Sequence, residues 1–464
     1  MLSLTKKPKL NILVMNSISI DFPMPKHIVI NKKIKPFNKI ITVSADKSIS
    51  IRCVLLASQA IGKSKIKNLL ESEDVENALK VIKKLGIKYE KKKDTYIIYG
   101  MGLNGFYSKK NLTLNAGNSG TLARLILGLL INFENKIKIV GDASLSKRDF
   151  TRVADPLKMF GANISMKKNR LPIEIYGSSF LRPINYIEKL GSAQCKSSVM
   201  LAALKTPGIT KIKAKKSRNH TELLFKSLNI PIKIRESKKF DTITLEGEHN
   251  FNSFNYIIPG DISSASFFIV LTLLSKNSGI IIKNVNVNDS RIGIIKILNL
   301  MNCKILIKNK KIYKGELIAD INVQSKSNIK PIYCPSDLNS SAIDEFLIIF
   351  LVAAKAKGVS VFKNLGELNK KESPRLNVAV NFLKNIGIKV KRKNNDLRIY
   401  GNPKLNLKGK YTMKNYMKDH RVFMMSCIAA LTFGGNWKIH DKNSINTSFP
   451  DFLKKIKLIG AIIN

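Results

Sequence analysis

The chain has 464 residues, 44% of them apolar, and a formal net charge of +48. This length exceeds one ordinary domain and suffices for two or more, each with its own hydrophobic core. No apolar run reaches the roughly 18 residues that a membrane-spanning helix needs, which excludes a helical membrane protein. The positive charge comes mostly from Lys spread along the whole chain, which favours a generally basic surface over a nucleic-acid-binding patch.

The first segment, residues 1–26, shows no helical or strand periodicity. It contains Asp21 and no Arg, which argues against a transit peptide. Two explanations are open: a poorly ordered extension, or a start codon assigned upstream of Met15 or Met24. We therefore predict an N-terminal extension over residues 1–28.

From residue 81 onward one pattern recurs: an amphipathic helix, a Gly or Asn, an apolar strand, a charged turn and a second strand. Gly and Asn readily adopt the left-handed conformation that ends a helix. A period of roughly 70–85 residues predicts six α/β modules and an α/β (α+β) fold class, although helix–Gly–strand connections are also common in unrelated α/β proteins. The apolar runs 267–274 and 346–354 predict buried helices. The recurring residues are Gly86, Gly161, Asn229, Asn302, Gly387 and Gly460.

Two clusters near the start of the chain pair a cation with small or hydroxyl residues. Residues 45–52 (ADKSISIR) precede an apolar run, so Asp46 or Ser48 can cap a helix whose N-terminus binds an anion together with Lys47 and Arg52. Residues 115–124 (NAGNSGTLAR) form a Gly-rich turn into another apolar helix. A capped surface helix would explain either cluster taken alone.

Further clusters follow in chain order. One is a pair of carboxylates, Asp344 and Glu345, predicted inside an otherwise apolar helix, where such groups are rare without a partner or a chemical task. Arg is scarce beside Lys, and only Arg offers a rigid two-pronged fit to phosphate or carboxylate. The other clusters are 147–148 (KR), 192–197 (SAQCKS), 217–222 (SRNHTE), 371–375 (KESPR) and 419–421 (DHR).

The five cysteines are far apart and the five histidines show no metal-binding spacing. We therefore expect no metal site, and a reducing, cytoplasmic location.

In order and spacing, these clusters resemble the signature motifs of the 5-enolpyruvylshikimate-3-phosphate synthases, over a match from about residue 30 to the end. Further counterparts are 259–265 (PGDISSA) and 448–452 (SFPDF). The chain departs from the family pattern at four positions, Ala45, Ile51, Asp149 and Pro374.

The resemblance implies two similar domains, each of three βαβαββ units, with the active site in the cleft between them. The first domain would be discontinuous, from 29–45 plus 257–464, and the second would span 46–256. The implied activity is transfer of the enolpyruvyl group of phosphoenolpyruvate to shikimate 3-phosphate. No cofactor, membrane or nucleic acid would be involved, and the enzyme would be a monomer with small-molecule substrates.

The resemblance also assigns site residues. Asp344 is the candidate base and Glu372 the candidate acid, with Lys47 assisting. Shikimate 3-phosphate would be held by Lys47, Ser48, Arg52, Ser192, Ala193, Gln194, Arg218, Asp344 and Lys371. Phosphoenolpyruvate would be held by Lys47, Gly120, Arg124, Arg148, Gln194, Arg375 and Arg421.

Two other functions are possible. The sister enzyme that acts on UDP-N-acetylglucosamine shares fold and chemistry but typically uses a loop Cys, and no Cys lies between 124 and 148. A catalytically dead RNA-binding relative is the second.

Glyphosate occupies the phosphoenolpyruvate site in the resembled family, and members with Ala at the position of Gly120 tend to be insensitive. This chain keeps Gly120, although its other motifs look like the less sensitive bacterial subgroup.

Overall fold

The computed structural model describes residues 27–108 and 112–464. The predicted N-terminal extension therefore lies outside the described residues, except for its last two, which form the start of β1. Within the described residues, no helix is long and apolar enough to cross a membrane.

The described part of the chain alternates short strands with helices. The strands are β1 (His27–Ile30), β2 (Asn38–Ile41), β3 (Ile61–Lys67), β4 (Tyr89–Lys92), β5 (Thr95–Met101), β6 (Leu112–Asn115), β7 (Ile137–Val140), β8 (Asn163–Lys167), β9 (Arg170–Tyr176), β10 (Asn185–Glu188), β11 (Ile209–Lys215), β12 (Ile232–Arg235), β13 (Phe240–Glu246), β14 (Asn255–Ile257), β15 (Gly279–Asn286), β16 (Leu306–Tyr313), β17 (Glu316–Gln324), β18 (Gly358–Phe362), β19 (Val390–Lys393), β20 (Asp396–Gly401), β21 (Leu407–Met413) and β22 (Gly434–His440). The α-helices are α1 (Lys47–Gln59), α2 (Glu73–Lys84), α3 (Gly120–Leu129), α4 (Thr151–Phe160), α5 (Ala193–Ala203), α6 (His220–Ser227), α7 (Ile262–Leu274), α8 (Gly293–Leu300), α9 (Phe346–Lys355), α10 (Arg375–Asn385), α11 (His420–Phe433) and α12 (Phe452–Leu458).

The elements pack around two separate hydrophobic cores. The first core draws its residues from 28–43 and 262–463 and contains the buried helices α7, α9 and α11. The second core draws its residues from 45–258 and contains the buried helices α1, α3 and α5. The apolar runs 267–274 and 346–354 lie within α7 and α9, which confirms the prediction that they form buried helices. Asp344 and Glu345 lie just before α9, not inside it as predicted, because the helix begins at Phe346.

The sheets repeat one topology. In each of four of them a parallel pair of strands is extended by an antiparallel hairpin, in the orders β14-β3-β5-β4, β6-β7-β9-β8, β10-β11-β13-β12 and β2-β15-β17-β16. The sheets β1-β22-β21 and β18-β20-β19 have three strands each. In the latter a single parallel bridge, Tyr333 to Val361, lies where the parallel partner would run.

The six repeated residues end six amphipathic helices, as predicted. Gly86, Gly161, Asn229, Asn302, Gly387 and Gly460 all have positive φ, between 56° and 117°. They follow α2, α4, α6, α8, α10 and α12, so the sequence repeat corresponds to six structural modules. The α/β fold class and the count of three units around each core are confirmed.

The chain passes between the two cores twice, at neighbouring positions. Ala45 and Gly260 form an antiparallel bridge. The amide of Asp46 donates to the carbonyl of Pro259 at 2.8 Å, and that of Asp261 donates to the carbonyl of Ser44 at 2.9 Å. Two strands joined by hydrogen bonds therefore connect the halves of the molecule.

Lys205, which follows α5, is buried in the second core without a carboxylate partner among the described residues. Its ammonium group donates to the carbonyl of Leu103 and lies 5.2 Å from the centre of the Phe106 ring. Burial lowers the pKa of Lys205 to about 7.

We expect Lys205→Met to raise the free energy of unfolding at pH 7, with the gain reduced by the unpaired Leu103 carbonyl. The amino group of Lys205 binds its proton more tightly in the unfolded chain than in the folded one. The wild type therefore loses stability as pH falls from about 10 to 7, whereas Lys205→Met does not show that loss. Urea unfolding at pH 7 and pH 10 measures both, with exposed Lys226→Met as the control. If the free energies of unfolding of Lys205→Met and the wild type differ by the same amount at pH 7 and pH 10, the lowered pKa of Lys205 is contradicted.

Candidate active site

The six buried helices all begin at the walls of one cleft, which has a volume of about 2470 Å³. The N-terminus of a helix carries unpaired amide groups and a partial positive charge, so six converging helix starts favour anionic ligands. The lining residues at or near these helix starts include Lys47, Ser48, Thr121, Arg124, Ala193, Gln194, Asp261, Asp344, His420 and Arg421.

Side-chain caps fix where these helices begin. Asp46, rather than Ser48, caps α1, with Oδ1 accepting from the amide of Ile49 at 2.9 Å. Ser119 and Ser192 accept from the amides of Leu122 and Cys195, each at 3.3 Å. Asp261 and Asp419 cap α7 and α11 in the same way. The local sequence therefore sets the position of each cationic or hydroxyl side chain that follows a cap.

One group of cleft residues comes from the second core. The Nη1 atom of Arg124 donates to Oε1 of Gln194 at 2.8 Å, and Nε2 of Gln194 donates to Oγ1 of Thr121 at 2.9 Å. Burial and the neighbouring Arg148 lower the pKa of Arg124 to about 10, so its guanidinium stays charged at neutral pH. Two adjacent guanidinium groups with an amide beside them form an anion-binding surface.

Asp344 lies among cations from both halves of the molecule. Lys371 Nζ and Arg375 Nη1 each lie 3.2 Å from its Oδ1, and Arg218 from the second core pairs with its Oδ2. Burial alone would raise the pKa of Asp344, but Lys371, Arg218, Arg421 and Arg375 together hold it well below the usual range. The carboxylate is therefore ionised, as a general base must be.

Glu372 lies close to Asp344 and shares a cation with it. Arg375 Nη2 pairs with Oε2 of Glu372, while Arg148 Nη2 lies 3.6 Å from its Oε1. Burial would raise the pKa of Glu372, but Arg375 and Arg148 hold it well below the usual range. The guanidinium of Arg375 thus joins the two carboxylates to which sequence reasoning assigned acid and base roles.

Lys47, the first residue of α1, lines the same cleft. Its ammonium group forms an ion pair with Oδ2 of Asp74 at 2.7 Å, and its amide donates to Asp261 at 3.3 Å. Asp74 was missed from sequence, because an acidic residue in the first turn of α2 looks like an ordinary favourable charge at a helix N-terminus.

Three of the predicted site residues do not line the cleft. Arg52 is buried under it, where its nitrogens donate to Thr221, Ser48 and Ser197 at 2.8, 2.9 and 3.0 Å. Arg375 is 1% exposed and lies behind Glu372, also bound to Asp419. Gly120 lies under the guanidinium groups of Arg124 and Arg148. The remaining predicted residues line the cleft: Lys47, Ser48, Arg124, Arg148, Ser192, Ala193, Gln194, Arg218, Asp344, Lys371, Glu372 and Arg421.

Ion pairs also cross the mouth of the cleft. Arg152 from the second core reaches both carboxylate oxygens of Glu367 from the first, at 3.2 and 3.3 Å. The hydroxyl of Ser144 donates to the carbonyl of Glu372 at 3.0 Å. Neither Arg152 nor Glu367 was predicted, because their pairing depends on how the two halves face each other.

The departures from the family motifs have local effects. Asp149 accepts from the amide of Thr151 at 3.0 Å, which satisfies a donor at the start of α4. Pro374 is the N-cap residue of α10, and its φ of −72° is one that the proline ring allows. Ile51 is buried in α1, and Ala45 takes part in the bridge with Gly260. Asp149 and Pro374 themselves line the cleft.

Among residues 27–108 and 112–464, no three His, Cys, Asp or Glu side chains are grouped so that they could hold a metal ion. The cleft chemistry described here is that of cations, carboxylates and amides.

Comparison with known proteins gives a consistent result. A family model described as EPSP synthase (3-phosphoshikimate 1-carboxyvinyltransferase) matches residues 31–456. The 3-phosphoshikimate 1-carboxyvinyltransferase of Vesicomyosocius okutanii is 41% identical over 424 residues, 91% of this chain and 95% of that protein. EPSP synthase from Acinetobacter baumannii has a TM-score of 0.82 at 32% identity and covers 94% of this chain and 99% of its own. An enolpyruvyl transferase from Streptomyces tendae, at 13% identity, shares the fold with a TM-score of 0.71 over 94% of this chain and 98% of its own.

Proposed function

Because the chain belongs to the EPSP synthase family, we propose that the cleft is its active site and that the residues lining it divide between two substrates. The chain transfers the enolpyruvyl group of phosphoenolpyruvate to the 5-hydroxyl of shikimate 3-phosphate, giving 5-enolpyruvylshikimate 3-phosphate and phosphate. This reaction belongs to the shikimate pathway of aromatic amino acid biosynthesis. One observation carries the proposal: Asp344 and Glu372 share the guanidinium of Arg375 at the wall of a cleft rich in cations.

The phosphoenolpyruvate site is proposed at the Arg124–Arg148 pair. This ligand carries a phosphate and a carboxylate, which two adjacent guanidinium groups fit well. Glu372 is within ion-pair distance of Arg148, so a ligand bound there lies next to the candidate acid. Gln194, Arg421 and Lys47 complete the proposed site, while Arg375 acts from behind Glu372 and Gly120 leaves room for the guanidinium groups.

Shikimate 3-phosphate is proposed to bind where Arg218 and Lys371 meet Asp344. These two cations suit its phosphate and carboxylate, and both touch the candidate base. Ser48, Ser192, Ala193 and Gln194 supply hydroxyl, amide and backbone groups at the starts of α1 and α5. Arg52 supports this site from below by binding the carbonyl of Ser48 at 2.9 Å.

In the proposed mechanism Asp344 takes the proton of the 5-hydroxyl as the oxygen attacks C2 of phosphoenolpyruvate. Anionic substrates engage Lys371 and Arg218, which reduces their hold on Asp344 and makes it a stronger base than in the free cleft.

Glu372 is proposed to protonate C3 at the same time, which gives a tetrahedral ketal phosphate with a new methyl group. In the free cleft Arg148 and Arg375 favour its ionised form. When phosphoenolpyruvate binds Arg148, this cation no longer holds Glu372 in its ionised form. The Glu372 carboxylate can then accept a proton and act as the acid, with the Lys47 ammonium group nearby. Glu372 then takes back a methyl proton as the bond from C2 to the phosphate oxygen breaks, and phosphate leaves with the proton that Asp344 took from the 5-hydroxyl, so atoms and charge balance.

We also propose the domain boundaries 29–45 plus 257–464 and 46–256. The two hydrophobic cores, drawn from 28–43 and 262–463 and from 45–258, support them. β1 begins at His27, two residues before the proposed start of the first domain. A monomer in the cytoplasm is proposed on two grounds: one chain supplies every residue of the proposed site, and its five cysteines are unpaired and buried.

The other functions considered from sequence are not favoured. The relatives described above are named 3-phosphoshikimate 1-carboxyvinyltransferases, not UDP-N-acetylglucosamine transferases. The catalytically dead RNA-binding relative is not favoured, because the chain carries the proposed acid and base. Phosphate release from phosphoenolpyruvate, measured with shikimate 3-phosphate or with UDP-N-acetylglucosamine, tests the assignment. Release with only the second acceptor, or with neither, would overturn it.

Glyphosate inhibition tests the phosphoenolpyruvate site. A methyl group at Gly120 would lie 2.7 Å from Arg124 Nη1 and 2.8 Å from Arg148 Nη1, so both guanidinium groups must shift in Gly120→Ala. Both ligands need these groups, but the longer inhibitor leaves less space for the shift. We expect the KM of phosphoenolpyruvate to rise by less than about 5-fold and the inhibition constant of glyphosate by more than about 50-fold.

The measurement is a pair of inhibition curves, at varied phosphoenolpyruvate, for the wild type and Gly120→Ala. Equal weakening of both ligands would mean that Gly120 does not discriminate between them.

A further inference from the structure

Arg291, in the loop between β15 and α8, is a buried arginine outside every motif identified in the sequence. It is 1% exposed and lies where the chain passes between the two cores. Its Nη1 atom lies 3.3 Å from Oδ2 of Asp46, and its Nη2 atom lies 3.0 Å from Oδ1 of Asp261 and 2.9 Å from Oγ of Ser263. One guanidinium therefore binds both crossover strands at their ends.

The two aspartates connect Arg291 to Lys47. Asp46 immediately precedes Lys47 and caps its helix, and Oδ2 of Asp261 accepts from the Lys47 amide at 3.3 Å. Two buried carboxylates this close repel each other unless a cation lies between them. Arg291 supplies that cation, so the start of α1, and with it the Lys47 side chain, depends on this contact.

Ser263 connects Arg291 to the opposite wall of the cleft. Its hydroxyl accepts from Arg291 and donates to Oε1 of Glu345, the residue after Asp344. Glu345 is 1% exposed and its Oε2 has no hydrogen-bond partner among the described residues, so few other contacts orient it. Arg421 Nη1 lies 3.7 Å from Oε1 of Glu345.

A third contact joins Arg291 to the second core. Its Nη1 atom lies 3.3 Å from Nε2 of His220, whose Nδ1 lies 2.6 Å from Oε1 of Glu316 in the first core. The imidazole can accept from Arg291 only if its proton is on Nδ1, which then donates to Glu316. Both terminal nitrogens of Arg291 are thus bound by protein groups, while its Nε has no hydrogen-bond partner among the described residues.

We propose that Arg291 is a positioning residue for the transfer reaction, which fixes Lys47 through Asp46 and Asp261 and fixes Asp344 through Ser263 and Glu345. This inference rests on the proposed function, since it assigns Arg291 to the groups that function uses. Arg291 does not touch the reacting atoms. Instead, Arg291 sets the distance between the ammonium group of Lys47 on α1 and the carboxylate of Asp344 before α9. The rate of the transfer reaction is sensitive to that distance.

Ser263→Ala gives the sharpest test, because it cuts the link to Glu345 and leaves the buried charges in place. We expect kcat to fall about 10-fold, with both KM values within about 2-fold of the wild type and Tm within about 3 °C. Ser266→Ala is the matched control: that serine is on the same buried helix, and its hydroxyl donates only to the carbonyl of Ser263. The control should keep the wild-type kcat.

Arg291→Lys and Arg291→Gln extend the test. Lys keeps the positive charge but lacks the two terminal nitrogens with which the guanidinium binds both aspartates, so we expect Arg291→Lys to lower kcat by about 30-fold. Gln also lacks the charge, so we expect a larger loss for Arg291→Gln. If the Arg291 variants do not fold, Ser263→Ala alone decides.

A wild-type kcat in Ser263→Ala would overturn the inference. The inference would also be overturned if kcat fell equally in Ser263→Ala and Ser266→Ala and in proportion to the fall in Tm. Such a pattern would mean that both serines act only through stability. A wild-type enzyme that releases no phosphate with shikimate 3-phosphate would instead overturn the proposed function, which separates the two failures.

Discussion

Asp344→Asn is expected to lower kcat by about 100-fold or more, the usual effect of losing a positioned base. The amide keeps the shape of the side chain but cannot take the proton of the 5-hydroxyl. Four cations surround Asp344 in the free cleft and hold its pKa well below the usual range. The wild-type base is therefore ionised at all physiological pH values, and raising the pH cannot rescue the variant. Phosphate release at saturating substrates measures kcat.

The same substitution should reduce stability, because it leaves Lys371, Arg218, Arg375 and Arg421 facing each other without their shared anion. The native pKa of Asp344 lies below the unfolded value, so its contribution is complete above about pH 4 and is lost as pH falls through the native pKa. Asp289→Asn is the control, since the Asp289 side chain is 82% exposed and its one ion pair among the described residues is with Lys296. A kcat for Asp344→Asn within about 3-fold of the control would remove Asp344 from the mechanism.

Glu372→Gln is also expected to lower kcat by about 100-fold or more, because the amide cannot protonate C3 of phosphoenolpyruvate. The free cleft favours ionised Glu372, so the proton has to arrive when phosphoenolpyruvate takes over Arg148. An acid works only while protonated, so wild-type kcat should fall as pH rises through the pKa of Glu372 in the substrate complex. The variant should lack that fall.

A kcat–pH profile from pH 5 to 10 for wild type and Glu372→Gln checks both statements. Glu76→Gln is the matched control in the cleft wall, where the half-exposed Glu76 side chain pairs with Lys80 rather than with Arg375. Retention of the alkaline decline in Glu372→Gln, or an unchanged kcat, would assign the acid to another group.

The repeat and the helix starts could be predicted from sequence because both depend on local residues. A Gly or Asn that ends a helix and an Asp or Ser that caps one act within a few positions of themselves, so Gly161 and Asp46 were recognisable without a structure. Of the fifteen site residues assigned from the motifs and their family resemblance, twelve line the cleft.

Residues whose role depends on distant partners could not be predicted in this way. Arg52 and Arg375 have the composition of ligand-binding residues, but the fold buries both and uses their nitrogens for internal contacts. Arg291 lies 245 positions from Asp46, and their contact appears only when both crossover strands are in place. Asp74 resembles an ordinary helix-terminal acid until α2 is packed beside Lys47.

The paired crossover at Ala45 and Gly260 constrains how the two halves can move. A single linker would let one half rotate freely about the chain axis. Two strands joined by hydrogen bonds resist that rotation. We therefore expect the two halves to open and close mainly by hinge bending across the pair of strands, with little twist. Each closure then returns the residues on opposite walls to the same register, as the Arg152–Glu367 pair at the mouth requires.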